Sequence, residues 1–303
     1  MTLPRVMLLG TPQAAVPTLE RLLQTTEVVS VLTRPDRPRG RSGKARPSAL
    51  KEAALAAGIE VHEATRGRDL DSSWFATADL AIVVAFGVLI PAAILELLPF
   101  LNVHFSLLPR WRGASPVTAA IAAGDGETGV TIMRIDAGLD TGPIITARTT
   151  PIGPEETGGQ LTERLAELGA DLLVRTIPLF LAGKVEPVAQ SEEHASYAPR
   201  IEKADTVLSL DEAPELVSRK VRALAPRPGV SFPLAGGGLV RLLSVHPVAE
   251  SPGRGELAHD GEHVLLGLSQ EAIELIEIQP AGRAAMSGAD WARGWQSPPI
   301  VQQ

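Results

Sequence analysis

Short apolar runs alternate with helix-period segments through the first half of the chain, and few folds accommodate that rhythm. Val6 to Leu9, Val28 to Leu32 and Leu80 to Val84 are the apolar runs, with helical patterns from about Pro17 to Gln24 and from Ser48 to Ala57. A short run too apolar to alternate fits a strand buried on both faces, and a helix between such strands is the crossover that parallel neighbours require. The segment therefore reads as βαβ units around a mostly parallel sheet, an α/β fold. Pro91 fits the first turn of a helix through Leu98, and Leu101 to Phe105 reads as the next strand. Thr131 to Ile135 and Ile144 to Arg148 add strands on their β-branched content. Leu161 to Leu181 is the longest helical candidate, with a stripe of Leu161, Leu165, Leu168 and Leu172 that a packed helix needs.

After Gly183 the text turns polar and broken until about Ala204. A helical stretch from Pro214 to Leu224 follows, then strand-like runs at Leu239 to Val245, His263 to Leu268 and Ala272 to Ile278, separated by glycine clusters. Short strands with glycine turns suggest a small β-barrel. A chain of 303 residues has room for two domains. The expected division is 1–183, a linker over 184–203, and 204–303.

The absence of cysteine excludes disulfides, thiolate zinc sites and a cysteine nucleophile, and it fits a reducing cytoplasm. The N-terminal apolar run is too short for the core of an export signal. Leu80 to Leu95, the longest uncharged apolar stretch, falls short of the roughly 20 residues that span a bilayer. Gly10-Thr11-Pro12 after the first strand is not the glycine fingerprint of dinucleotide binding. No metal is expected: His259 and His263 come nearest to a ligand spacing, but they flank an apparent turn at Asp260-Gly261-Glu262.

Chemistry concentrates in Asn102-Val103-His104-Phe105-Ser106-Leu107-Leu108-Pro109 and in Gly138-Leu139-Asp140-Thr141-Gly142. On a strand Asn102 and His104 point to one face, which aims an amide and an imidazole at one small volume. An amide N–H can donate to a developing oxyanion, an imidazole can shuttle a proton, and a carboxylate such as Asp140 can orient it. The set suits acyl transfer to an external nucleophile. Taken singly, each residue also fits a structural hydrogen-bonding role.

Together, the two motifs resemble the folate-dependent formyltransferase family. Similar landmarks run through Leu9 to Pro12, Thr33 to Arg41, Val83 to Gly87, Pro109 to Pro116 and Gly129 to Met133, and then through Arg222 to Gly229 and Ile278 to Met286. The departures are local: Gln13-Ala14-Ala15 replaces a usual acidic and aromatic pair, Ser115 stands where alanine is usual, and the stretch before Leu101 lacks a commonly seen glycine. The resemblance implies a Rossmann-like catalytic domain and an OB-like barrel. It makes Asn102, His104 and Asp140 catalytic. It also lines a folate pocket with Ser106, Leu107, Leu108 and Pro109, and sets Phe86 and Gly87 near the pterin.

Arg34, Arg37, Arg39, Arg41, Lys44, Arg46 and Lys51 stand against a single Asp36, a local charge of +6 in a chain of net charge -7. Proline and glycine make this an irregular loop, either a solvated surface or a phosphate-binding one. The resemblance implies the second, with Arg41 foremost and Arg37, Arg39 and Lys44 in support. It extends to those family members that formylate the amine of methionine on initiator tRNA, with 10-formyltetrahydrofolate as co-substrate, no metal, and a cytoplasmic monomer as the working form. Two rivals stay open: formyl transfer to an amino-sugar nucleotide, and an RNA-binding module without activity.

Overall fold

The computed structural model describes residues 3–38, 43 and 45–302. Its contacts divide the chain into two units, one of Met1–Pro116, Glu127–Pro151 and Thr162–Pro199, the other of Val117–Gly126, Ile152–Leu161 and Arg200–Gln303.

In the first unit the strands are β1 (Arg5–Gly10), β2 (Glu27–Thr33), β3 (Arg37–Pro38), β4 (Ala45–Arg46), β5 (Val61–Glu63), β6 (Leu80–Val84), β7 (Phe100–His104), β8 (Arg112–Gly113), β9 (Glu127–Arg134), β10 (Ile144–Pro151) and β11 (Tyr197–Ala198). The main sheet runs β10-β9-β7-β6-β1-β2-β5, parallel from β7 to β5 and antiparallel at β9 and β10. All five residues of β6 are buried, as the lack of alternation requires of a strand covered on both faces. Its helices are α1 (Val16–Thr25), α2 (Ala49–Ala56), α3 (Ala92–Leu95) and, from Thr162 on, α5 (Gly158–Leu181), whereas α4 (Pro116–Ala123) falls in the second unit from Val117 on. Ser48 caps α2 by accepting from the Lys51 amide at 3.1 Å. Gly10 ends β1 where a Cβ would stand 2.8 Å from both the Val84 carbonyl oxygen and the Ala15 Cβ, so any side chain there would push β6 and the start of α1 apart. Met7, Leu9, Phe75, Val83, Phe86 and Phe100 share one buried cluster on this sheet.

Three sequence expectations shift. The helix after Pro91 ends at Leu95, not Leu98; Leu98 precedes Pro99, and the residue before a proline is driven out of the helical region. β7 begins at Phe100 and ends at His104, which leaves Phe105 outside it. The buried stripe of α5 is Leu161, Leu165, Leu173 and Ile177, while Leu168 and Leu172 are only half-buried; Gly169 takes the place at the sheet.

The stretch read as a linker is hydrogen-bonded to the first unit as far as Pro199. Ile144 and Val188 exchange backbone hydrogen bonds of 2.8 and 2.7 Å, and β11 pairs in parallel with β8.

In the second unit α6 (Pro214–Leu224) precedes β12 (Val230–Pro233), β13 (Leu239–Val248), β14 (Leu257–His259), β15 (Val264–Gly267), β16 (Ala272–Pro280), β17 (Met286–Ser287) and α7 (Gly288–Ala292). The strands form one antiparallel, barrel-like sheet ordered β12-β13-β16-β15-β14, with β17 on β16. Register shifts between Leu242 and Val245 mark irregular pairing in the middle of β13, where a bulge bends a long strand. Val217, Val221 and Leu224 of α6 lie in one buried cluster with Phe232, Leu275, Ile278 and Trp291. Each large apolar side chain fully buried in such a core contributes about 1.5–3 kcal/mol.

Candidate active site

β7 occupies the position between parallel β6 and antiparallel β9, so its C-terminal end is fixed from both sides: Asn102 lies opposite Val83 and Met133, and His104 opposite Thr131. Alternation along the strand separates the faces. Val103 is buried against Gly169 of α5, where a Cβ would come within 2.6 Å of the valine methyl. Asn102 and His104 face the other way and meet the same carboxylate.

That carboxylate is Asp140, from the loop between β9 and β10, with a backbone φ of +53°. Its Oδ1 accepts from Asn102 Nδ2 at 3.3 Å, and its Oδ2 accepts from the Gly113 amide at 2.8 Å. His104 Nδ1 stands 3.8 Å from Oδ2. The other ring nitrogen, Nε2, lies 2.9 Å from the Trp111 carbonyl oxygen, which can only accept. Nε2 therefore bears the proton, and in the neutral ring Nδ1 is left as the basic nitrogen on the side of Asp140 and Asn102. His104 is 5% exposed, so the imidazole is fixed by its surroundings.

Residues Ser106 to Pro109 are tied down by Thr131, whose hydroxyl donates to the Ser106 carbonyl at 2.7 Å and accepts from the Leu108 amide at 3.1 Å. Ser106 Oγ donates to the Arg110 carbonyl at 2.6 Å. Ser106 and Leu108 are buried, so Leu107 and Pro109, both half-buried, hold the more accessible side chains of this segment. Phe86 packs into the sheet core, leaving its backbone and exposed Gly87, at φ +69°, as the parts of that loop open to a ligand.

Four neighbours of the site had no role assigned from sequence: Arg112, Gln190, Glu192 and Ser196. Arg112 is fully buried and makes paired hydrogen bonds to Glu192 at 2.9 and 3.0 Å and a third to Gln190 Oε1 at 2.9 Å. The guanidinium holds the Glu192 carboxyl below the usual carboxylate range, and Glu192 in turn pushes Arg112 further up. Arg112 stood inside a recognised motif, but its partners sit in the polar stretch after Gly183, which has no periodicity to reveal a docked segment.

Of the basic segment, Arg39, Arg41 and Lys44 lie outside the described residues. Arg37 is exposed on β3, which pairs with β4, so the described flanks form a short antiparallel ladder and not an irregular loop. Lys51 is ion-paired with Asp36 at 2.7 Å and Glu63 at 2.6 Å, and Asp36 first, then Glu63, raises its pKa. Its charge is already matched. Among the described residues no group of three or more histidines and carboxylates could hold a metal ion, and no helix is long and apolar enough to cross a membrane. His259 and His263 are exposed about a hairpin turn, and His263 Nδ1 pairs with Glu274 at 2.6 Å.

The family model described as Formyl transferase matches residues 5–177, and that described as Formyl transferase, C-terminal domain matches residues 200–296. The methionyl-tRNA formyltransferase of Parvibaculum lavamentivorans is 38% identical over 304 residues, which cover 97% of this chain and 98% of that protein. The methionyl-tRNA formyltransferase of Acidothermus cellulolyticus is 42% identical over 313 residues, with 96% and 97% covered. The solved structure of an N-formyltransferase from Helicobacter canadensis, in complex with folinic acid and dTDP-3-aminofucose, matches with a TM-score of 0.66 at 19% identity. That match covers 90% of this chain and 98% of the other, and the likeness is one of fold.

Proposed function

The chain belongs to the formyl transferase family, and from that premise we propose that it moves the formyl group of 10-formyltetrahydrofolate to the α-amine of methionine esterified to initiator tRNA. The product is N-formylmethionyl-tRNA, the substrate of translation initiation. Relatives of that name align over nearly the whole chain, which favours the tRNA acceptor over an amino-sugar nucleotide. The working form in this reading is a cytoplasmic monomer, with the first unit holding the chemistry and the second contacting tRNA.

One observation supports the mechanism above all others: Asn102, His104 and the Gly113 amide converge on Asp140. The methionyl amine attacks the formyl carbon, and the carbonyl oxygen becomes a tetrahedral oxyanion. Asn102 spends one amide hydrogen on Asp140 and has a second for that oxyanion. His104 Nδ1 takes the proton lost by the amine, because Nε2 is engaged by Trp111. Asp140 balances the resulting imidazolium. Collapse of the intermediate expels tetrahydrofolate, whose N10 receives the proton. The acceptor amine is the nucleophile, so no covalent enzyme intermediate forms. Leu107, Pro109 and the backbone at Phe86 and Gly87 contact the folate, and Ser106 and Leu108 support them from beneath.

The test is incubation of the purified protein with 10-formyltetrahydrofolate and Met-tRNA, followed by analysis of the aminoacyl ester. Formylmethionine on the tRNA is expected. Formylation of an amino-sugar nucleotide with Met-tRNA left unreacted would overturn the reading.

A further inference from the structure

We propose that Gln190 is a positioning residue for formyl transfer, holding Asp140 against Asn102 and His104 without touching either substrate; this rests on the catalytic roles given above. Both amide hydrogens of Gln190 go to the Asp140 loop, one to the Asp140 carbonyl at 2.8 Å and one to the Gly142 carbonyl at 2.7 Å. Its oxygen accepts from Arg112 Nε at 2.9 Å. The amide therefore cannot flip, since a flipped group would set its oxygen against two carbonyls and its hydrogens against an N–H donor.

The need for such a hold is local. Asp140 sits at φ +53°, a left-handed conformation uncommon for a residue with a side chain, so its loop must be fixed from outside. Arg112 fixes it twice. Through Gln190 it reaches the Asp140 backbone, and through its chain neighbour Gly113 it presents the amide that binds Asp140 Oδ2 at 2.8 Å. The guanidinium itself is anchored by two bonds to Glu192. Ser196, six residues beyond Gln190, extends the hold to the imidazole. Its hydroxyl accepts from the Trp111 amide at 3.0 Å, and Trp111 offers the carbonyl that engages His104 Nε2. One segment thus sets the position of the carboxylate and the tautomer of the histidine. A shift of about 1 Å in such a group can cost about 100-fold in rate.

The experiment compares the full-length parent with Gln190→Glu, which keeps an acceptor for Arg112 and loses both donors, and with Gln190→Met, which loses all three bonds at similar length. Formylation kinetics give kcat and KM for each substrate, and ring-nitrogen NMR of His104, at one pH without substrate, gives its tautomer and surroundings. The proposal expects kcat to fall tenfold or more in both variants, each KM to stay within about twofold, and the His104 signals to move. It is overturned if kcat stays within twofold of the parent, or if stability alone falls while the His104 signals hold still. If the parent fails to formylate Met-tRNA, the proposed function fails by itself, and the His104 signals still decide whether Gln190 sets the site.

Discussion

A side-chain amide that already donates to a carboxylate is oriented before substrate arrives, which suits the oxyanion role proposed for Asn102. Asn102→Ala removes the proposed oxyanion donor and also the 3.3 Å bond to Asp140. His104→Ala removes the proposed base. Either replacement is expected to lower kcat by about 100-fold or more with the fold intact. Steady-state kinetics beside circular dichroism check this, and near-normal turnover in either variant contradicts the assignment. Asp140→Asn separates charge from shape. The amide nitrogen of the new side chain must face either Asn102 Nδ2 or the Gly113 amide, both donors, so one of the two bonds that orient the carboxyl disappears together with its charge. Most turnover should vanish while folate affinity, measured by calorimetry, stays nearly unchanged. A large loss of folate binding with normal turnover at saturation would move Asp140 from the chemistry to the pocket.

At the level of elements, a strand of two residues can decide the site. β8 and β11 are each that short, and no hydrophobic pattern announces them, yet their pairing brings Gln190, Glu192 and Ser196 to Arg112 and Trp111. The Arg112–Glu192 pair makes this attachment sensitive to acid. The folded-state pKa of Glu192 is depressed by Arg112, so its contribution to stability is complete above the ordinary glutamate value of about 4.3 and is lost as pH falls through the depressed value. The parent should therefore be more stable than Glu192→Gln at neutral pH, and the difference in melting temperature should narrow as the pH is taken down through and below the ordinary glutamate range. A gap that persists unchanged across that range would show that the carboxylate charge is not its source. The same contrast explains what the sequence made legible. β1, β2, β6, β13 and β16 are evident because each buries at least three apolar residues. The meeting of Asn102 with His104 followed from strand alternation, and Asp140 from its motif. β5, β8 and β11, and the docking of the stretch after Gly183, depend on partners distant in sequence and on polar bonds that no local period records. The one-residue rotation of the α5 stripe has a similar origin: the close approach of Val103 to Gly169 sets which face meets the sheet.

For the whole molecule the governing quantity is the distribution of charge. The net charge is -7, yet the segment from Arg34 to Lys51 holds +6, which leaves -13 on the remainder. The net charge by itself disfavours a polyanion, so attraction has to come from a local excess of positive charge, and this segment carries one in sequence. Lys51 does not add to that attraction, because Asp36 and Glu63 already bind its ammonium. The phosphate contacts are expected from Arg37, Arg39, Arg41 and Lys44, which lie close together in the sequence. Arg41, between Gly40 and Ser42, has no carboxylate within four residues to neutralise it in sequence. Arg41→Ala should weaken tRNA use severely while folate binding is unchanged, and Arg41→Lys should recover only part of the loss, since it restores the charge without the planar fork. Neutralising Arg37, Arg39 or Lys44 should cost less each, and each should flatten the plot of log K against log salt by about one unit for every phosphate it no longer binds. Formylation rate against tRNA concentration, repeated at several salt concentrations with folate binding followed separately, measures all of these. If Arg41→Ala formylates Met-tRNA as well as the parent does, the positive segment is only a solvated surface, and the case for a tRNA acceptor loses its electrostatic support.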